Sequence, residues 1–128
     1  MKNILILVLS IILVLSFGIW ELGYLEETSD YVLGDASQVQ NILENPNKGY
    51  NERESAIKDL NNTWKTVKKP WSIYISHGEI DNINERIISY SVYALENNKE
   101  EATKEYENLV DNLNHVVECQ KLLPQNIF

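Results

Sequence analysis

Residues 21–44, ELGYLEETSDYVLGDASQVQNILE, decide the fold through the spacing of their apolar and small side chains. Those side chains recur at alternating steps of three and four, at Leu22, Leu25, Ser29, Val32, Ala36, Val39 and Leu43. Such steps return to one face of an α-helix, so the stretch predicts a helix with a single buried seam. The helix is expected to end near Glu44, because residues 45–49, NPNKG, have the composition of a turn.

Three later stretches repeat the same spacing. Their seams are Ile57, Leu60, Trp64, Val67, Trp71 and Tyr74, then Ile80, Ile83, Ile87, Tyr90 and Ala94, and last Ala102, Tyr106, Leu109, Leu113, Val116 and Leu123. No stretch alternates with a period of two for long enough to predict a strand. Four seams with short connections predict an all-α fold, an antiparallel up-down four-helix bundle over residues 21–128.

Aromatic side chains are concentrated in residues 64–80, WKTVKKPWSIYISHGEI, which raises the question of a ligand pocket. Their spacing places them on one helix face, so we expect them in the core instead. Pro70 does not change the phase of the pattern and predicts a kink with the helix resuming, or alternatively a break at Lys69. The predicted core aromatic residues are Trp64, Trp71, Tyr74, Tyr90 and Tyr106.

Residues 4–20, ILILVLSIILVLSFGIW, contain no charged side chain. As a helix they would measure roughly 26 Å, near the lower limit for crossing a hydrocarbon core of about 30 Å. Residues 1–20 therefore predict a transmembrane helix that continues into the bundle. A cleavable signal peptide, with small residues in Ser16-Phe17-Gly18, is the alternative. The anchor is favoured because apolar character continues through Trp20, and Trp20 and Tyr24 would lie in an interfacial aromatic belt.

Charge on the two flanks predicts the orientation of this anchor. Lys2 and the terminal amine precede it, whereas Glu21, Glu26, Glu27 and Asp30 follow it. The positive flank stays in the cytoplasm, so we expect a single-pass protein of the cell membrane with an extracytoplasmic bundle. All 19 acidic residues lie in the bundle, together with every basic residue except Lys2. The bundle is therefore negatively charged, which disfavours nucleic acid as a partner.

His77, His115 and Cys119 are the candidates for metal binding. We expect His77 at the C-terminal end of the second helix, beside Gly78 as a cap, where it would interact with the helix dipole. The topology could also bring His77 level with His115 and Cys119, a set suited to a soft or borderline metal. The seam disfavours this site, because it turns His115 outward and leaves Cys119 as a half-buried thiol at the flank. No metal or other cofactor is predicted.

Motifs of catalysis are not found in the sequence. There is no Ser-His-Asp order, glycine-rich phosphate loop or nucleophile elbow. Glu79, Asp81 and Glu85 open the third helix, where acidic side chains favour the helix dipole. The sequence therefore indicates a protein that is not an enzyme.

A second apolar line on the third helix, Ile88, Val92 and Leu95, faces away from its seam. It would either cover the edge of a broad core or bind a partner. We expect residues 4–20 to contact membrane lipid and the bundle to be an accessory or interaction partner of another membrane or envelope protein. Self-association is left open, and the alternative function is a ligand-sensing or metal-binding bundle with a site near His77.

Several features together resemble a known bacterial family. These are the short N-terminal anchor, the paired Trp64 and Trp71, the segment His77-Gly78-Glu79-Ile80 and the terminal Asn126-Ile127-Phe128. They resemble the family catalogued as domain of unknown function 4363. The resemblance implies a small membrane-anchored bundle without an assigned activity, and Pro70 departs from the uninterrupted second helix that it leads us to expect.

Overall fold

The computed structural model describes the backbone of residues 1–127 and the side chains of residues 1–121. It contains four helices: α1 (Lys2–Glu44), α2 (Tyr50–Trp71), α3 (His77–Leu95) and α4 (Lys99–Ile127). No strand occurs within residues 1–127. The predicted all-α class and the number of helices are confirmed.

Adjacent helices are antiparallel and pack in the order α1, α2, α3, α4, with α4 returning to α1. On α1 and α2, Trp71 contacts Thr28, whereas Thr63 contacts Asp35, so the partner numbers run in opposite directions. Side-chain pairs at two other interfaces are also antiparallel. Between α3 and α4 they are Arg86 with Glu105 and Glu79 with His115, and between α1 and α4 they are Gln40 with Thr103 and Glu26 with Lys121. The structure is therefore an up-down four-helix bundle whose first helix extends past it.

The core consists of the predicted seams. The seam residues of each helix are buried, with the exception of Tyr106 on α4. They extend from Leu25 to Leu43 on α1, from Ile57 to Trp71 on α2, from Ile80 to Ala94 on α3 and from Ala102 to Val116 on α4. Tyr74 and Tyr106 are half-buried and pack against this core, and Leu22 is half-buried at its edge. The side chain of Leu123 lies outside the described residues. Burial of most members of all four seams confirms the spacing rule that predicted the helices.

The turn between α1 and α2 is confirmed over residues 45–49. The Asn47 amide donates to Oδ1 of Asn45 at 2.9 Å, and the Gly49 amide donates to Glu52 Oε2 at 2.9 Å. These two side chains satisfy backbone donors at the end of one helix and the start of the next. They fix the reversal of the chain at the end of the bundle far from residue 20.

The prediction that α2 would kink at Pro70 and resume is wrong, and the alternative of a break in the helix is found, two residues later than Lys69. The helix includes Pro70 and ends at Trp71, and the chain turns over residues 72–75. Proline lacks the amide that would continue the hydrogen-bond ladder, and its ring crowds the preceding turn. The amides of Ile73, Tyr74 and Ile75 instead donate to the carbonyls of Pro70 and Trp71.

Candidate functional site

The part of α1 that precedes the bundle exposes its apolar side chains. From Ile4 to Trp20 every residue is exposed except Gly18, which is half-buried, and no residue in the most apolar window of 18 residues is buried. By length and composition α1 is long and apolar enough to cross a membrane, a property that signal sequences share. Exposed apolar surface of this extent is unusual for a soluble domain.

Three aromatic rings line the junction between this segment and the bundle. The ring centroids of Phe17 and Trp20 lie 5.9 Å apart, and the rings of Trp20 and Tyr24 stack at 5.5 Å. Trp20 is exposed, whereas Tyr24 packs against the core and Leu25 is fully buried. The transition from exposed to buried side chains therefore occurs within about one turn of α1.

Trp64 and Trp71 are core residues, as predicted. Their rings meet edge to face with centroids 5.6 Å apart, an arrangement that aromatic pairs favour. The indole of Trp71 donates to Thr28 Oγ1 at 2.8 Å, and that of Trp64 donates to Asn84 Oδ1 at 3.2 Å. With their nitrogens satisfied and their surfaces buried, these residues hold the helices together as core side chains.

A cleft of about 340 Å³ lies at the end of the bundle nearest residue 20. It is lined by Tyr74, Ile75, Ser76, Glu79, Val116, Cys119 and Gln120, so it separates the α2–α3 turn from α4. The Tyr74 hydroxyl is buried without a hydrogen-bond partner. Its burial, with smaller contributions from the charge of Glu21 and from Tyr24, raises the pKa of Tyr74 to about 12. Tyr74 is thus neutral and close to the start of the bundle on α1.

His115, Cys119 and Glu79 lie together beside this cleft. The Cys119 sulfur is 3.5 Å from Nε2 of His115 and 3.9 Å from its Nδ1, so it is not in line with either nitrogen. Glu79 Oε1 is 3.7 Å from His115 Nε2. Within residues 1–121 no three His, Cys, Asp or Glu side chains form a group able to hold a metal ion. Cys119 is exposed, and the prediction of a half-buried thiol is wrong because it lies beyond the flank of the seam.

His77 is the first residue of α3, and the prediction that it ends α2 is wrong. Ser76 precedes it as the N-cap, and its hydroxyl accepts a hydrogen bond from the Glu79 amide at 3.3 Å. Gly78 has no positive φ angle and is not a helix C-cap. Because α2 ends soon after Pro70, the boundary between α2 and α3 lies earlier in the chain than predicted. Exposed His77 therefore lies at the positive end of the α3 dipole and not at the negative end of the α2 dipole.

Ile88 and Val92 form an apolar patch on α3 with Ile88 53% and Val92 47% exposed. Leu95, the third member of the predicted line, is half-buried and packs against the core. The line is therefore divided: its C-terminal residue covers the core, and the other two form the exposed surface that we call the α3 patch (Ile88 and Val92).

Sequence reasoning missed the polar partners inside the bundle. The Tyr90 hydroxyl lies 2.9 Å from Gln40 Oε1 and 3.1 Å from the Ala36 carbonyl oxygen, and Gln40 Nε2 donates to Thr103 Oγ1 at 2.8 Å. Burial raises the pKa of Tyr90 far above its usual value. Gln40 follows the seam residue Val39 and does not belong to the apolar seam, so residue spacing did not identify it. Its partners would have been found only by matching hydrogen-bond donors with acceptors across three helices.

Comparison with protein families matches most of the chain to a family model. The model of the family described as Domain of unknown function (DUF4363) matches residues 19–127. No curated protein and no solved structure matches significantly. The matched range begins at the junction between the exposed apolar segment and the bundle and includes all four helices of that bundle. The chain therefore belongs to the DUF4363 family.

Proposed function

We propose that this protein is a non-enzymatic, single-pass membrane protein whose extracytoplasmic bundle is an accessory or interaction partner of another membrane or envelope protein. The observation that carries the proposal is the continuity of α1, in which an exposed apolar segment leads without interruption into the bundle core. A helix that is part of both units ties the bundle rigidly to the membrane surface. Such an arrangement suits a protein that acts on a neighbour in the same membrane.

The proposed orientation rests on the charges that flank the apolar segment. Lys2 precedes it, and Glu21, Glu26 and Glu27 follow it. Retention of the positive flank in the cytoplasm would expose the bundle on the opposite side. The Lys121 ammonium reaches Glu26 Oε1 at 2.7 Å and so joins α4 to α1 near this boundary.

The non-enzymatic part of the proposal rests on the surroundings of the titratable side chains. His77, His115 and Cys119 are exposed, and of these three Cys119 alone lines the cleft at the end of the bundle. General acid and base catalysis draws on groups that a buried, water-excluding site holds in place. The alternative of a ligand or metal site near His77 is weaker, because His77 does not line the neighbouring cleft.

The α3 patch is the surface proposed to contact the partner. Replacing both residues, Ile88→Gln and Val92→Gln, is expected to abolish co-purification of the partner from cross-linked, gently solubilised membranes. The substitutions remove exposed apolar area without touching the core, so the far-UV circular dichroism spectrum should not change. Mass spectrometry of the co-purified proteins gives the readout.

Tyr31→Gln is the matched control, because Tyr31 is an aromatic side chain of similar exposure, 55%, on α1. It should leave the partner's recovery unchanged. Equal recovery with the control and with the double variant would remove the α3 patch from the proposal. Recovery of no other membrane protein with the unmodified chain would contradict the accessory role itself.

A further inference from the structure

The turn between α2 and α3 differs in composition from the other two turns of the bundle. Residues 45–49 read NPNKG and residues 96–98 read ENN, whereas residues 72–75 read SIYI. In an up-down bundle the first and third turns lie at one end and the second lies at the other. The apolar turn is thus the one at the end from which the exposed segment of α1 emerges.

Ile73 is the exposed apolar side chain of this turn. Trp71 and Ile75 on either side point into the core and are buried, whereas Ile73 is 85% exposed. Beyond Trp20 no other large apolar side chain in residues 21–121 is as exposed. Backbone hydrogen bonds of 2.8–3.3 Å within residues 70–75 hold the turn, so this exposure is built into the backbone.

Contacts with α1 give the height of the turn above the apolar segment. The Trp71 indole is bonded to Thr28, and Glu21 and Tyr24 are close enough to Tyr74 to raise its pKa. At 1.5 Å per residue, Thr28 lies about 12 Å along α1 beyond Trp20, and Glu21 and Tyr24, toward which the chain continues from Trp71 to Tyr74, lie about 2 and 6 Å beyond it. The headgroup region of one leaflet is roughly 5–8 Å thick.

We propose that the α2–α3 turn inserts Ile73 into the interface of the same membrane that α1 spans, which makes it a second lipid contact of the bundle. This inference rests on the proposed anchoring of α1. An isoleucine side chain at headgroup depth is transferred from water to the boundary between headgroups and acyl chains, as are the apolar side chains of interfacial segments. Lys68 and Lys69, in the last turn of α2, lie five and four residues before Ile73 in the chain and supply positive charge for lipid phosphates.

The test uses the full chain with Cys119→Ser and one new cysteine carrying an environment-sensitive fluorophore. The variants are Ile73→Cys, Tyr50→Cys at the opposite end of the bundle and Leu13→Cys within the apolar segment. Each is reconstituted into vesicles of phosphatidylcholine and phosphatidylglycerol. Quenching by lipids that carry a nitroxide near the headgroup, or in the middle of the acyl chain for the label at position 13, is compared with quenching by iodide in the water.

The fluorophore at position 73 is expected to lose at least about half of its emission to the shallow nitroxide and to be protected from iodide. The fluorophore at position 50 should show the reverse. A label at position 73 that behaves like the one at position 50, or that is protected from both quenchers by protein, overturns the inference while quenching at position 13 upholds the anchor. A label at position 13 without lipid quenching overturns the proposed anchoring, and the inference with it.

Discussion

Replacing Trp71 by alanine is expected to lower the free energy of unfolding of the bundle by about 3–5 kcal/mol. Trp71 is the largest fully buried side chain, with 0% exposure, so its removal leaves a cavity that the surrounding helices cannot fill. The change also deletes the hydrogen bond to Thr28 and the edge-to-face contact with Trp64. Chemical unfolding of the full chain in detergent micelles, followed by far-UV circular dichroism, measures the loss.

Trp71→Phe separates the volume from the hydrogen bond. It keeps most of the ring and loses the indole N–H, so we expect a smaller loss of about 1–2 kcal/mol. Trp20→Ala is the matched control, because Trp20 is 61% exposed and should change the bundle's stability by less than about 0.5 kcal/mol. Equal effects of Trp71→Ala and Trp20→Ala would contradict the core position of Trp71.

Replacing Leu9 and Leu13 together by arginine is expected to remove the protein from the membrane. The two side chains are exposed and lie four residues apart on one face of α1. Exchanging leucine for arginine near the middle of a membrane helix costs about 3–4 kcal/mol on insertion scales, so the pair opposes insertion by roughly 6–8 kcal/mol. The measurement is the fraction of full-length protein that remains in the membrane pellet after alkaline extraction.

Leu9→Ile with Leu13→Ile is the control for this pair, because it keeps the apolar surface and should keep the protein in the pellet. The intact mass of the unmodified protein separates the anchor from a cleaved signal peptide, since a mature chain would lack the residues up to the cleavage site near Gly18. An arginine variant recovered in the pellet at the level of the control would show that residues 4–20 do not hold the protein in the membrane.

The helices could be predicted because they follow from a local rule. Steps of three and four identified Leu25 through Leu43 on α1 and the three later seams, since the buried face of a helix depends only on residue spacing. The role of Pro70 could not be predicted as well. Spacing alone does not say whether a proline bends a helix or ends it, and the outcome depended on Ser76 being available to cap a new helix.

The candidate site was less predictable because it joins residues that are distant in the chain. Glu79 approaches His115 across the α3–α4 interface, and Tyr74 comes close to Glu21 only after the turn is formed. Cys119 is exposed because of how α4 is rotated on its neighbours, which its place near the seam did not determine. The apolar turn was visible in the sequence as SIYI, but its significance depended on knowing at which end of the bundle it lies.

Labelling of Cys119 in intact cells tests the proposed topology most directly. Cys119 is the single cysteine of the chain and is exposed, so the unmodified protein carries its own probe, and Cys119→Ser supplies the background. If the bundle is extracytoplasmic, a membrane-impermeant maleimide will label membrane-bound protein in intact cells as fully as in permeabilised cells. Labelling that appears only after permeabilisation would place the bundle in the cytoplasm and contradict the proposed function.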